Sequence, residues 1–235
     1  MAQAEIHHQH RSVTGGAARA AVFGVSDGLV SNVSLILGFA GGGAGSGVVR
    51  LAGLAGAIAG GISMAAGEWI SVSAQNELIE REIAVERREL RVNTAAETLE
   101  LADMYVNDGM SREDAERAAV DVMREPETAL VVHARAELGV DPRKLASPLH
   151  AAVFSILAFL CGALLPVLPW LFGAGGAWPA TISVAIGVVT AAFVGAFIGR
   201  LAGRSIVRSA LRQVLIVLVA CGVTYVIGQL VGVSV

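Results

Sequence analysis

The fold of this chain is decided by the stretch Ser63-Met64-Ala65-Ala66-Gly67-Glu68-Trp69-Ile70-Ser71-Val72-Ser73-Ala74-Gln75. It begins inside an apolar, glycine-rich run and leads directly into a strongly acidic segment. Met64 and Glu68 lie four residues apart, so a helix here presents a thioether and a carboxylate on one face. The stretch therefore marks where a membrane helix is predicted to enter water, with two potential cation ligands beside that boundary.

The composition and the charge distribution of the rest of the chain agree with that boundary. Of the 235 residues, 54% are hydrophobic and only 16% are charged, whereas soluble domains carry about 25% charged residues. The charge is also unevenly distributed, since 17 of the 20 acidic residues lie between Glu77 and Asp141 and none follows Asp141. These features predict an all-α membrane protein with a water-exposed acidic insert.

Five stretches are apolar and long enough to cross a bilayer, whose core of about 30 Å needs about 20 helical residues. They are residues 17–40, 48–73, 149–172, 178–199 and about 209–230. The predicted organisation is a flexible tail (1–16), two transmembrane helices (17–73), a cytosolic helical domain (74–148) and three further transmembrane helices (149–235). Pro166 and Pro169 are expected to kink or end the third transmembrane helix.

Arginine placement gives the predicted orientation. Ten basic residues lie in the insert, and Arg200, Arg204, Arg208 and Arg212 lie between the fourth and fifth helices. The connections on the opposite side contain only Arg50. Because basic residues favour the cytosolic side, the N-terminus, the insert and the arginine-rich turn are predicted to be cytosolic. We expect the host membrane to be a bacterial inner membrane.

Several residues in the apolar runs are expected to serve packing. Glycines four apart, such as Gly24 and Gly28, are typical of helices that approach closely in lipid. Cys161 and Cys221 are expected to be small buried residues without a disulfide or a thiolate metal site. The histidines of the N-terminal tail are expected to be disordered rather than ligands.

The acidic insert is predicted to be helical and to continue the second transmembrane helix into water. Thr94 with Glu97, and Ser111 with Asp114, have the spacing of a capping box and predict two helix starts. The predicted helices of the insert are 77–91, 94–106, 111–124 and 126–139.

Two residues of the apolar helices are candidate ligands at similar membrane depth. Asp27 lies about ten residues from the cytosolic end of the first helix, or roughly 15 Å deep, where a carboxylate costs at least about 2.5–3.5 kcal/mol. Met64 lies at a similar depth on the second helix, with Glu68 one turn nearer the cytosol. A thioether with carboxylates suits Fe²⁺ better than Ca²⁺ or Mg²⁺. The alternative is structural: a polar helix contact for Asp27 and packing for Met64.

Three pairs of potential ligands in the insert each share one helical face. They are Glu86 and Glu89, Glu97 and Glu100, and His133 and Glu137. If these faces converge, they form a carboxylate-rich site for several metal ions. The alternative is a solvated helical surface on which arginines neutralise the glutamates.

Three motifs, taken in this order and spacing, resemble the vacuolar iron transporter family of plants, fungi, protists and bacteria. The motifs are Asp27-Gly28-Leu29-Val30-Ser31, Ser63-Met64-Ala65-Ala66-Gly67-Glu68 and Glu86-Arg87-Arg88-Glu89-Leu90. The likeness extends from about Arg11 to Thr224-Tyr225-Val226-Ile227-Gly228. We interpret the chain as a bacterial member.

The resemblance implies a homodimer with an ion path at the subunit interface and a metal-binding role for the cytosolic domain (74–148). The implied activity is proton-coupled export of Fe²⁺ from the cytosol, with Mn²⁺ as a second substrate and no prosthetic group. Zn²⁺ is a further ion that the cytosolic domain is expected to bind. Asp27 and Met64, with Glu68 nearby, match the family's membrane path. Its cytosolic ligands match Glu86, Glu89, Glu97, Glu100 and Glu137.

One position departs from the family pattern. Related proteins place methionines about one turn before the last of these glutamates, where this chain has His133-Ala134. An imidazole can replace a thioether as a borderline ligand. We therefore include His133 in the predicted ligand set.

Other functions are weighed against transport. A membrane-anchored di-iron oxidase needs Glu-x-x-His pairs on two helices, but Leu130 and Ser147 stand three residues before His133 and His150. A membrane metal sensor would use the same insert without moving ions. Nucleic-acid binding has no support in the sequence, because the insert is acidic rather than basic. The prediction is a transporter rather than an enzyme, with metal ions, protons and the bilayer as its partners.

Overall fold

All regular structure in the described part of the chain is helical. The structure, a computed structural model, describes residues 16–172 and 178–232, with side chains from residue 21 onward. The predicted N-terminal tail and its histidines therefore lie outside the described residues, apart from residue 16. The helices are α1 (Gly16–Gly41), α2 (Ser46–Val92), α3 (Thr94–Asn107), α4 (Arg112–Met123), α5 (Pro126–Glu137), α6 (Pro148–Leu164), α7 (Leu168–Leu171), α8 (Trp178–Leu201) and α9 (Ile206–Val231), with a 3₁₀ turn at Leu165–Val167.

Five helical segments are long and apolar enough to cross a membrane, which confirms that part of the predicted fold. They are Ala21–Gly41, Ser46–Val92, Pro148–Leu171, Trp178–Leu201 and Ile206–Val231. The second is a single helix of 47 residues, which is about 70 Å long at about 1.5 Å per residue. This length exceeds the roughly 20 residues that a bilayer core of about 30 Å requires.

The chain divides into two compact units, of which Trp69–Pro148 is one and the remaining described residues are the other. We call the unit outside Trp69–Pro148 the membrane unit. In it, α8 and α9 pack along each other and α1 packs against both. Their shared core contains Leu29 and Val33 of α1 and Val217 and Cys221 of α9. Aliphatic packing thus fixes α1, the helix that carries Asp27.

Glycines bring α1 and α6 together at backbone level. A Cβ atom at Gly28 would overlap the carbonyl of Phe159, and one at Gly162 would overlap the carbonyl of Val25. Close approach of small residues is a main source of helix association in lipid. The packing role expected for Gly28 is therefore confirmed.

Prolines end α6 as predicted. The helix stops at Leu164 and the chain continues through the 3₁₀ turn that contains Pro166. The carbonyl released at Pro166 accepts a hydrogen bond of 2.6 Å from the hydroxyl of Ser183, which itself accepts one of 2.9 Å from the indole of Trp170. Every backbone group at membrane depth needs such a partner, and this network supplies one.

In the Trp69–Pro148 unit, α3 and α4 pack through small residues. Leu101 and Ala102 of α3 meet Ala115 and Ala119 of α4, all of them buried. The hydroxyl of Ser111 accepts a hydrogen bond from the backbone N–H of Asp114 and so caps α4. The helix start predicted at Ser111 is confirmed. The Asp114 carboxylate accepts from the Ser111 hydroxyl, and the described hydrogen bonds do not include the return bond to the Ser111 N–H that a complete capping box requires.

The capping box predicted at Thr94 is wrong. Asn93 occupies the N-cap position of α3, and no side chain caps that end. The hydroxyl of Thr94 instead donates to the carbonyl of Leu90, 2.7 Å away and one turn earlier. The N–H of Asn93 donates to the carbonyl of Glu89 at 2.7 Å, so the Glu97 carboxylate is not needed as its acceptor.

The two cysteines have different surroundings. Both are free thiols, in agreement with the prediction of no disulfide, and Cys221 is buried as expected. Cys161 is exposed, so the prediction that it is a buried packing residue is wrong. Helical periodicity explains the difference, because Cys161 precedes Gly162, whose face is the one turned toward α1.

Candidate metal sites

The membrane unit contains a cavity of 310 Å³ between α1, α2 and α6. Its lining residues are Asp27, Ser31, Asn32, Leu35, Gly56, Gly60, Ser63, Met64 and Phe159. The sequence-predicted ligands Asp27 and Met64 therefore reach one space, from α1 and α2 respectively. Glu68 is not among the lining residues.

Met64 takes part both in side-chain packing and in the lining of this cavity. It is partly buried and packs against the cluster formed by Ala57, Phe159 and Ala163. This is the packing role that the sequence analysis gave as the alternative to metal binding. It also lines the space that Asp27 faces. Packing and ligation are compatible here, because the cluster holds the side chain in place while the cavity leaves part of it accessible.

Asn32 is a polar residue of the cavity that the sequence reasoning missed. Only 2% of it is exposed. Its side-chain amide donates to the carbonyl of Gly53 at 3.1 Å and to that of Ala163 at 2.6 Å. Both N–H donors are thereby used, and the amide oxygen is buried without a hydrogen-bond partner. The signal was present as an amide within the apolar run that follows Asp27.

Glycines of α2 provide the room for this cavity. A Cβ atom at Gly60 would collide with the ring of Phe159, and one at Gly56 would lie 2.9 Å from the free oxygen of Asn32. A larger residue at Gly56 would therefore crowd that oxygen. The glycine stripe of α2 leaves room beside three different ligand types: a carboxylate, a thioether and a buried amide oxygen.

The Trp69–Pro148 unit contains a second group of potential ligands, contributed by α2, α3 and α5. It consists of Glu86, Glu97, His133 and Glu137, and one ligand atom of each lies within 4.8 Å of the others. We call this group the insert cluster. Nδ1 of His133 lies 3.1 Å from Glu137, 3.3 Å from Glu86 and 3.8 Å from Glu97, measured to a carboxylate oxygen in each case.

Burial raises the electrostatic cost of keeping the carboxylates of the insert cluster ionised. Glu86 is 8% exposed, Glu97 is 5% exposed and His133 is fully buried. Burial first, and then the charges of Glu137 and Glu97, raise the pKa of Glu86 to about 7. Burial and the charge of Glu100 raise the pKa of Glu97 as well. Within the described residues, no arginine or lysine pairs with a carboxylate of this cluster.

A cation among the carboxylates would satisfy a group that lacks a hydrogen bond. One oxygen of Glu86 is buried and makes no hydrogen bond among the described residues, although it lies 3.3 Å from Nδ1 of His133. Unpaired buried polar groups of this kind are expensive. Three carboxylates around one imidazole form a ligand set suited to a borderline divalent ion.

Glu89 and Glu100 do not belong to the four-residue cluster. Both are exposed, although the charge of Glu89 contributes to the raised pKa values of Glu86 and Glu97. Residues three apart on a helix differ by about 60° in direction, so only one member of each pair faces inward. The other member lies close enough to add negative potential.

The geometry can be compared with known proteins. A model of the VIT family matches residues 18–229. This chain belongs to the VIT family. The matched range includes every residue of the cavity and of the insert cluster. The family that the sequence motifs resemble is therefore confirmed.

Several named relatives of this VIT family member are similar over most of its length. Vacuolar iron transporter 2 of Oryza sativa subsp. japonica is 30% identical over 166 residues, which cover 71% of this chain and 68% of the relative. Vacuolar iron transporter of Acanthamoeba castellanii is 33% identical over 184 residues, with 77% and 64% covered. Vacuolar iron transporter 1 of the same rice is 29% identical over 188 residues, with 80% and 75% covered. These names describe transporters, in agreement with the prediction that the chain is not an enzyme.

Proposed function

We propose that this VIT family member is a proton-coupled secondary transporter that moves Fe²⁺, with Mn²⁺ as a second substrate, out of the cytosol. The observation that carries the proposal is the cavity lined by Asp27 and Met64, between apolar helices long enough to cross a membrane. Family membership supports the class of protein, and the names of the relatives support iron as the cargo.

The ligands of the cavity explain the choice of ion. The thioether of Met64 is a soft ligand, whereas the oxygens of Asp27 and Asn32 are hard ligands. A mixed set of this kind favours Fe²⁺ or Mn²⁺ over Ca²⁺ and Mg²⁺, which prefer oxygen alone. The free oxygen of Asn32 replaces part of the water lost when the ion leaves solution.

Proton coupling follows from the single carboxylate of the cavity. An ion binds Asp27 in its deprotonated form, and a proton neutralises the same group after the ion leaves. Neutralisation by one or the other lowers the cost of a carboxylate at membrane depth. Alternation between metal and proton at Asp27 makes the flow of one depend on the flow of the other.

The insert cluster serves as the cytosolic collection site in this proposal. Its imidazole and carboxylates accept Fe²⁺ or Mn²⁺, and also Zn²⁺. Because the pKa of Glu86 is about 7, protons compete with the ion near neutral pH. Glu89 and Glu100 attract ions to its edge, and Glu68 is assigned to the cytosolic side of the membrane path.

A homodimer accounts for the exposure of the path residues. Asp27 and Ser31 are exposed in the single chain, although they belong to a membrane helix. Lipid would be an unfavourable neighbour for the carboxylate, at a cost of at least about 2.5–3.5 kcal/mol. A second copy of the chain that covers this face would enclose the cavity.

The proposed location is the inner membrane of a bacterium, with the acidic insert in the cytosol. The support is the distribution of basic residues along the sequence. Ten of them lie in the insert and four arginines lie between α8 and α9, on the side that positive charge favours.

Transport into liposomes tests this proposal. The full chain is reconstituted, a pH gradient is imposed, and Fe²⁺ uptake and internal pH are followed together. We expect uptake only with the gradient, a proton flux opposite to the ion, and loss of both in Asp27→Asn. Ser26→Ala is the matched control, since Ser26 is adjacent in sequence but does not line the cavity.

Three outcomes would refute the proposal. They are uptake that does not depend on the pH gradient, full uptake by Asp27→Asn, and ion binding without any uptake. The last result would favour the metal-sensor alternative.

A further inference from the structure

The turn between α8 and α9 forms a basic cavity that the proposed transport path does not use. The cavity has a volume of 390 Å³. Its lining residues are Arg204, Ser205, Arg208, Ser209 and Arg212. Arg208 and Arg212 are four residues apart and share one face of the first turns of α9, and Arg204 reaches the same cavity from the turn before the helix.

The guanidinium groups of this cavity have no counter-charge. Among the described residues, none of Arg204, Arg208 and Arg212 takes part in an ion pair or a side-chain hydrogen bond. The sequence reinforces this point, because no acidic residue follows Asp141. Three positive charges therefore face a cavity without compensation.

Ser209 adds a polar group that points to a ligand. It is only 9% exposed and lines the cavity. Its hydroxyl makes no hydrogen bond within the described part of the chain, and its backbone N–H donates to the carbonyl of Ser205. The hydroxyl is therefore free to donate a hydrogen bond to an oxygen of an anion bound in the cavity.

The start of α9 also favours an anion. This helix of 26 residues begins at Ile206, and the hydroxyl of Ser205 accepts a hydrogen bond from the N–H of Arg208. The N–H groups of Ile206 and Val207 have no acceptor within the helix. Their partial positive charge adds to that of the arginines.

We propose that this cavity binds the phosphate of an anionic phospholipid headgroup. Arginine matches phosphate geometry through paired N–H donors, which agrees with the three arginines present. The place also agrees, because α9 is long and apolar enough to cross a membrane, and a helix of this kind begins at the level of the headgroups. A soluble phosphate ester offers the same chemistry, so the test must separate the two sources.

The test measures lipid binding by the full chain in a nonionic detergent, with native mass spectrometry as the readout. Short-chain phosphatidylglycerol is compared with phosphatidylcholine of the same chain length. We expect tighter binding of phosphatidylglycerol, weakened about fivefold for each arginine removed in Arg208→Gln and Arg212→Gln. Ser209→Val should weaken it as well, although no charge changes. Arg200→Gln is the matched control, because Arg200 is exposed beside the same turn but does not line the cavity.

Competition with glycerol 3-phosphate identifies the source of the phosphate. Displacement of the lipid at equal concentration would assign the cavity to soluble phosphate esters, and no displacement would assign it to the lipid. Equal binding of the two lipids would overturn the proposal, as would equal losses in Arg200→Gln and Arg208→Gln. If Arg208→Gln fails to fold, Arg204→Gln and Ser209→Ala carry the same comparison.

Discussion

Nδ1 of His133 lies 3.1 Å from a carboxylate oxygen of Glu137, one turn further along α5. The same nitrogen is 3.3 Å from Glu86 on α2. His133, which the sequence analysis noted as a departure from the pattern of the resembled family, is therefore the residue on which the other three groups converge. A histidine at this point is compatible with a metal site, since it supplies a ligand atom directed at all three carboxylates.

Removing the imidazole should weaken metal binding by the insert cluster. In an Asp27→Asn background, which suppresses the membrane site, His133→Ala is expected to reduce Mn²⁺ affinity by about 10- to 100-fold. Electron paramagnetic resonance of free Mn²⁺ during a titration measures this change. Glu116→Gln is the control, since Glu116 is exposed and outside the cluster. Unchanged affinity in His133→Ala would remove the residue from the ligand set.

The metal-free insert should become less stable as pH rises. Glu86 has a pKa of about 7 in the folded chain, above the ordinary value of 4.5. Between these values the folded state binds more protons than the unfolded state, so the free energy of unfolding falls with increasing pH.

Amide hydrogen exchange of α5, corrected for intrinsic rates, tests this pH dependence. In metal-free protein we expect more protection at pH of about 5 than at pH of about 7.5. The difference should shrink in Glu86→Gln and persist in Glu116→Gln. The opposite trend would mean that Glu86 is held ionised in the folded chain.

Asn32 should matter for stability as well as for the cavity. Asn32→Leu removes the donors to the carbonyls of Gly53 and Ala163, so a loss of about 1–3 kcal/mol in the free energy of unfolding is expected. Ser155→Ala is the control, because the hydroxyl of Ser155 is buried but has no hydrogen bond to lose. Thermal unfolding in detergent compares the two variants. Equal melting temperatures would contradict the assigned hydrogen bonds.

Two glycine substitutions should have opposite effects. Gly28→Ala places a methyl group against the Phe159 carbonyl and should destabilise the membrane unit by about 1–3 kcal/mol. Gly67→Ala meets no atom within 4 Å and should stabilise α2 by about 0.5–1 kcal/mol, because alanine favours a helix. An unchanged or higher melting temperature in Gly28→Ala would show that α1 and α6 are not in close backbone contact.

The sequence was most informative about features that depend on the composition of one continuous segment. The length and hydropathy of five apolar runs are enough to predict membrane helices, because lipid accepts few alternatives to a helix. The proline stop in α6 and the cap at Ser111 were equally predictable, since each depends on neighbours in sequence.

Contacts between distant segments were less predictable. Spacing placed Glu97 in a capping box, whereas packing of α2, α3 and α5 turned its side chain toward His133. Spacing also could not decide which member of a glutamate pair faces inward. Asn32 escaped notice because its importance comes from the carbonyls of Gly53 and Ala163, which only the folded chain brings within reach.

The most direct test of the central claim is anomalous diffraction at the iron edge from crystals of the full chain loaded with Fe²⁺ without oxygen. We predict one peak in the cavity within coordination distance of Asp27 and Met64, and another between His133 and the carboxylates of Glu86, Glu97 and Glu137. Asp27→Asn should remove the first peak and keep the second. Iron bound only elsewhere, or a cavity peak that persists in Asp27→Asn, would contradict the account.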